Sequence, residues 1–310
     1  LAAAVAAEAP RAHPVPEPQA KVWKASVDAG LDWLGRHQSK VEGLWPCNHF
    51  DALCRGGRCS GPGQGEFTLG VSALAALAYL GHGVLPDASE RGEVLSRALM
   101  GITRLQNGHG LLSGPGDLEK PLWGHCVGLL ALAEALRRDP ADPWRLRKNA
   151  QAATDFLVSR QEPGGGWGWG EKKSNMSATC WAVLALEASR RAGLKVPALT
   201  LEKALAWTRT VLDIRDGKAT FGYDGKQRFM HGTPVATTAQ GLLCQHLLGG
   251  EPVPGVAPVL LEARPSGASD LYRWHFQALA LARLGGEPWA VWQDELGKTL
   301  TSAQYNKGCS

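Results

Sequence analysis

Residues Gln161–Gly170 read QEPGGGWGWG and stand between two helix-like runs, TDFLVSR at 154–160 and ATCWAVLALEA at 178–188. Three glycines free the backbone for a tight turn. A tryptophan set in glycine offers a broad, flat apolar surface. A phosphate loop is excluded, because it needs a strand before the glycines and Gly-Lys-Ser/Thr after them. The sequence instead continues Glu171-Lys172-Lys173.

The same pattern recurs along the chain. Trp33-Leu34, Gln38 and Gly43-Leu44-Trp45 form one copy; Phe156-Leu157, Gln161 and Gly165-Gly166-Trp167 form another. Ile102, Gln106 and Gly110-Leu111-Leu112 make a worn copy. Trp207 with Phe221-Gly222-Tyr223 keeps the aromatic end, and Leu300, Gln304 and Gly308 begin one more. Each loop leads into a nearly all-apolar run: Leu69–Leu80, Leu122–Leu136, Ala178–Ser189, Val235–Leu248 and Trp274–Leu284. A helix apolar on almost every side is buried on almost every side. Gly81, Gly193, Gly249 and Gly285 lie where left-handed helix stops are expected. The segments before the loops (21–37, 90–105, 145–160, 199–212 and 287–303) carry many charges and read as outer helices. No strand pattern competes. The unit is therefore outer helix, Gly/Trp loop, inner helix, and the fold class is all-α. Inner helices with almost no polar side favour two concentric rings over an open solenoid, which predicts an α/α toroid over residues 20–310. The chain stops inside a further loop, at Gly308-Cys309-Ser310, so at least one more inner helix is expected in the natural protein.

The Gln-x-x-Gly-x-Trp loops resemble the QW repeats of squalene–hopene cyclases, whose toroid is shared by protein prenyltransferase β subunits. The segments WGHCVGLLALAEAL, GGGWGWG with SATCWAVLALEASRRAGLKVP, and LYRWHFQALALARLGGEPWAVW also resemble bacterial prenyltransferase/squalene oxidase repeat proteins. In that resemblance Gln38, Trp45, Gln161 and Trp167 are structural repeat residues that glue neighbouring hairpins together. The chemistry of the enzymes does not carry over. Class II cyclases need Asp-x-Asp-Asp-Thr-Ala at an inner-helix start. Here the equivalent reads Pro234-Val235-Ala236-Thr237-Thr238-Ala239, with no aspartate. The Asp-x-Cys of zinc prenyltransferases is absent as well. No cofactor is implied.

Composition bounds the rest. The 310 residues carry a net charge of +4 without a basic block, so nucleic acid is not a partner. No apolar run is long enough to cross a membrane. Residues 1–19 open LAAAVAAEAP and read as a signal remnant or a Pro/Ala-rich linker, which favours an exported protein. Cys126, Cys180 and Cys244 lie in apolar helical runs and read as small hydrophobes. Cys47, Cys54, Cys59 and Cys309 lie in glycine-rich loops and read first as disulfides. In a closed ring Cys309 would pair with one of the other three. His49 among the loop cysteines offers a zinc ion as the alternative, and the reading assigns no metal.

Polar and aromatic residues near inner-helix starts form the candidate ligand site: Trp123, His125, His231, Tyr272, Arg273, Trp274 and His275. Arginine would anchor an anionic or carbonyl group, and the histidines would exchange protons near neutral pH. The competing reading is that these side chains only pack. The function read from the sequence is a non-cyclising toroid that binds a ligand in its cavity or acts as a scaffold. The alternative is an enzyme on an isoprenoid or a glycan, the latter drawing on Glu66, Glu119, Glu171, Asp224 and Asp270 for its acids.

Overall fold

The computed structural model describes residues 15–48, 50–54, 59, 67–87, 89–114, 121–142, 145–170, 173–229, 233–266 and 270–304. Among them are eleven helices and one two-stranded hairpin. The helices alternate along the chain. The first members of each pair are α1 (Glu17–Arg36), α3 (Glu90–Arg104), α5 (Leu146–Ser159), α7 (Ala198–Thr210), α9 (Val256–Leu261) and α11 (Gly286–Ala303). The second members are α2 (Thr68–Gly81), α4 (Pro121–Arg138), α6 (Met176–Arg191), α8 (Val235–Leu247) and α10 (Leu271–Leu284).

The two sets are buried as their sequences require. Every residue of α6 from Met176 to Ser189 is buried, and so is every residue of α8 except His246. In contrast α1 buries only Leu31 and α11 only Trp292. The second helices pack in order, α2 on α4, α4 on α6, α6 on α8 and α8 on α10. The first helices cover them, and α1 also packs against α11. No helix among the described residues is long and apolar enough to cross a membrane.

The loops repeat one hydrogen-bonded device. Gln38 Nε2 donates to the carbonyl of Gly43 in its own loop (2.8 Å) and to that of Val94 in the next first helix (2.8 Å). Gln106 does the same to Gly110 (3.1 Å) and Asn149 (2.9 Å), and Gln161 to Gly165 (2.8 Å) and Thr200 (2.8 Å). The three glycines hold φ of +76°, +87° and +96°. A Cβ there would stand 2.2–2.3 Å from the carbonyl oxygens of Arg97, Ala152 and Lys203. Only glycine lets the next helix come that close. Trp45 and Trp167 donate Nε1 to the carbonyls of Leu34 (2.7 Å) and Leu157 (2.9 Å), which ties each plate to its preceding helix. Gln304 extends the series: its Nε2 donates to the carbonyl of Ser26 in α1 (2.8 Å).

Four local features differ from the sequence-based expectation. Residues 212–221 form a hairpin, β1 (Leu212–Arg215) with β2 (Lys218–Phe221), rather than the end of an outer helix. Its turn is Asp216-Gly217, both with positive φ, the two-residue turn that matches strand twist. The first helix before α10 is the six-residue α9, too short to show a charged face. The stop after α2 is Gly83 (φ +86°), because Gly81 closes the helix itself. The first helix also begins at Glu17, inside the stretch read as linker.

Candidate functional site

Three second helices bring polar groups together where they begin. Asn175 caps α6 by accepting the Ala178 N–H (2.9 Å), and Asp270 caps α10 by accepting that of Arg273 (2.9 Å). Between these ends the Tyr272 hydroxyl contacts Ser177 Oγ of α6 and accepts from Gln240 Nε2 of α8 (2.8 Å). Gln240 is fully buried, and its Oε1 has no hydrogen-bond partner among the described residues. One turn on, His275 stacks on Trp181 with ring centroids 5.7 Å apart, and Phe276 meets both edge-on.

Burial sets the charge of this cluster. Desolvation pushes the Tyr272 phenol up to about 12 and pulls His275 down to about 4. Both are neutral at physiological pH, so His275 is not the near-neutral proton exchanger that its residue type suggests. Arg273 Nε stands 3.8 Å from Asp270, too far for a hydrogen bond, and has no hydrogen-bond partner among the described residues. Trp274 is 4% exposed and faces the core.

His125 has a different task. It is fully buried, and its Nδ1 accepts the Leu112 N–H (3.1 Å). Its Nε2 donates to the Ala153 carbonyl (3.0 Å), and its ring meets Phe156 edge-on. The same task recurs in other repeats. Ser72 accepts from Trp45 N–H (2.8 Å), Thr179 from Trp167 N–H (3.0 Å) and Thr238 from Phe221 N–H (3.1 Å). His125 is thus a loop anchor, and desolvation pulls it down to about 4. Thr238, in the first turn of α8, is such an anchor too. Trp123 packs over Gly70, where a Cβ would collide with its ring, and against Phe67. His231 lies outside the described residues, as do His49, Glu66, Glu119 and Glu171. Asp224 pairs with Arg228 (3.1 Å).

The C-terminal ends of the second helices are charged. Glu134 pairs with Arg137 (2.8 Å), and Glu187 with Arg190 (2.7 Å) and Arg191 (3.1 Å). Burial and the neighbouring Arg191 bring Arg283 down to about 10. Burial, Arg283 and Arg191 also depress His246. These cations stand at helix C-termini, where the dipole favours them.

Among the described cysteines no disulfide is formed. Cys309 lies outside the described residues, so the clasp expected of it is not visible. Cys54 and Cys59 converge instead on His37, a residue that the sequence reading did not single out. Burial raises the thiols of Cys126 and Cys180, the inert behaviour expected of helix cysteines. No protein-family model and no curated protein matches the chain.

Proposed function

We propose that this chain is a non-cyclising α/α toroid that binds an uncharged, largely apolar ligand of isoprenoid type where α6, α8 and α10 begin. The ring is supported by the unbroken packing of α2 through α10 and by Gln304. That glutamine makes to α1 the bond that each earlier repeat glutamine makes to its next neighbour.

One observation carries the ligand: Ser177, Gln240 and Tyr272 from three helices meet in an otherwise apolar interior, and Gln240 Oε1 lacks a donor among the described residues. A buried acceptor without a partner costs about 1–3 kcal/mol, which a ligand hydroxyl would offset. Trp181 and Phe276 supply aromatic contact for an isoprene chain. All groups at the node are neutral, which disfavours a diphosphate head. Of the acids that a glycosidase would draw on, the two described, Asp224 and Asp270, are engaged in an ion pair and a helix cap.

The test is a titration of the purified protein, followed by tryptophan fluorescence, with a prenyl alcohol, its diphosphate and a soluble oligosaccharide. The alcohol is expected to saturate the signal and to bind more than about tenfold tighter than the other two. Tyr272→Phe combined with Gln240→Leu is expected to weaken it by about tenfold, the size of one buried hydrogen bond. Saturable binding that is indifferent to both substitutions, or none at all, defeats the site. Squalene is expected to come through unchanged, and any polycyclic product above a no-protein control overturns the non-cyclising reading.

A further inference from the structure

At the end of α1, His37 is held from two sides. Its Nδ1 donates to the Trp33 carbonyl (2.8 Å), and its ring stacks on the Trp33 indole with centroids 4.1 Å apart. Trp33 is braced in turn by Phe50 from the loop (6.3 Å). With the proton on Nδ1, Nε2 presents its lone pair. That atom points at Cys59 Sγ, 3.2 Å away. Cys54 follows the 3-10 turn Phe50–Leu53 and is fixed by its N–H on the Asp51 carbonyl (3.0 Å). His37 Nε2, Cys54 Sγ and Cys59 Sγ all lie within 4.8 Å of one another.

We propose that His37, Cys54 and Cys59 bind a zinc ion. A tetrahedral site with Zn–N of about 2.0–2.1 Å and Zn–S of about 2.3 Å sets its ligand atoms roughly 3.5–3.8 Å apart. The observed separations come within about an ångström of that. One imidazole with two thiolates is a donor set zinc favours over harder cations. The Nδ1–carbonyl bond orients the imidazole as metal-binding histidines require. A Cys54–Cys59 disulfide would use the two sulfurs and leave this orientation without a purpose. Three protein ligands leave one position, which water can fill. The ion would tie the end of α1 to the loop that leads into α2, some twenty residues on. Both thiols lose their protons on binding, so affinity rises with pH. The inference is independent of the ligand site on α6, α8 and α10.

The experiment is a cobalt(II) titration of the reduced 310-residue chain, followed by exchange with zinc and measurement of the metal content. One equivalent of cobalt is expected to give an intense thiolate-to-metal absorption band, which zinc then abolishes, leaving about one zinc per chain. Cys59→Ser and His37→Gln are expected to weaken cobalt binding more than about tenfold. Cys126→Ser, in the core of α4, leaves it unchanged. A chelator is expected to lower the melting temperature of the parent and not of Cys54→Ser. The titration uses the unaltered chain, so a variant that fails to fold cannot obscure the answer. Featureless cobalt spectra from the reduced parent overturn the proposal. So does a non-reducing peptide map of the isolated protein that finds Cys54 bonded to Cys59.

Discussion

Replacing Trp167 by alanine is expected to lower the unfolding free energy by about 3–5 kcal/mol, the usual range for a buried tryptophan. For a chain of this size that corresponds to a fall in melting temperature on the order of 5–8 °C. Trp167 is fully buried. Its indole N–H satisfies the Leu157 carbonyl (2.9 Å), its backbone N–H meets Thr179 Oγ1 (3.0 Å), and its carbonyl accepts the Asn175 N–H (2.9 Å). Truncation keeps the backbone bonds, opens a cavity between α5 and α6, and removes the indole donor from the Leu157 carbonyl, which retains the Arg160 N–H (3.2 Å). Trp169, two residues on in the same loop, is only partly buried and serves as the control. Its alanine variant is expected to cost less than about 2 kcal/mol. Urea unfolding of the two variants decides the matter. Equal losses would mean that Trp167 is not the plate between hairpins. Trp167→Phe separates packing from hydrogen bonding and should recover more than half of the loss.

The loop that identifies the repeat was legible because its requirements are local. Glycine at 165 is demanded by φ of +96° and by the Lys203 carbonyl, and both follow from a tight turn between packed helices. The second bond of Gln161, to Thr200, joins residues 39 apart, and only the assembled pair of hairpins reveals it. The hairpin at 212–221 carried a local signal, Asp216-Gly217, but the helical run before it masked the change of period. Short α9 had no amphipathic stripe to read. At the candidate site the difficulty lay in residue type. His125 reads as chemistry, yet in the repeat register it stands with Ser72, Thr179 and Thr238, residues that hold a loop N–H. Ser177 and Gln240 carried the opposite clue: polar side chains inside helices that are otherwise apolar on every side. His37 could not be joined to Cys59, 22 residues on, until the fold of the intervening loop was known.

Acid is expected to destabilise the protein mainly through two histidines. His125 and His275 titrate at about 4 in the folded chain, with desolvation as the leading cause, against about 6.5 unfolded. Between those values the unfolded chain binds protons that the folded chain refuses, so stability rises with pH. Their contribution is fully present above pH 6.5, falls as the pH drops towards 4, and levels off below. Each histidine accounts for up to roughly 3 kcal/mol over that interval. His246 acts in the same direction and Glu134 in the opposite one, since burial raises its carboxyl. Asp28 is held at about 2, chiefly by hydrogen bonds from Lys24 and Arg91, and loses its share only below about pH 4. The two windows therefore separate. Urea midpoints at pH 7, 5.5 and 4.5 should fall steeply in the parent and much less in His125→Thr combined with His275→Phe. Threonine at 125 can accept the Leu112 N–H as Thr179 accepts that of Trp167. It gives up the second bond, to the Ala153 carbonyl, which keeps its own donor inside α5, at a cost of about 0.5–1.5 kcal/mol at pH 7. His125→Ala loses both bonds and should melt lower still. Parallel lines for parent and double variant would mean that these imidazoles take up protons in the folded state. They would then be open to water, and His125 would belong with the candidate site rather than with the packing of its loop.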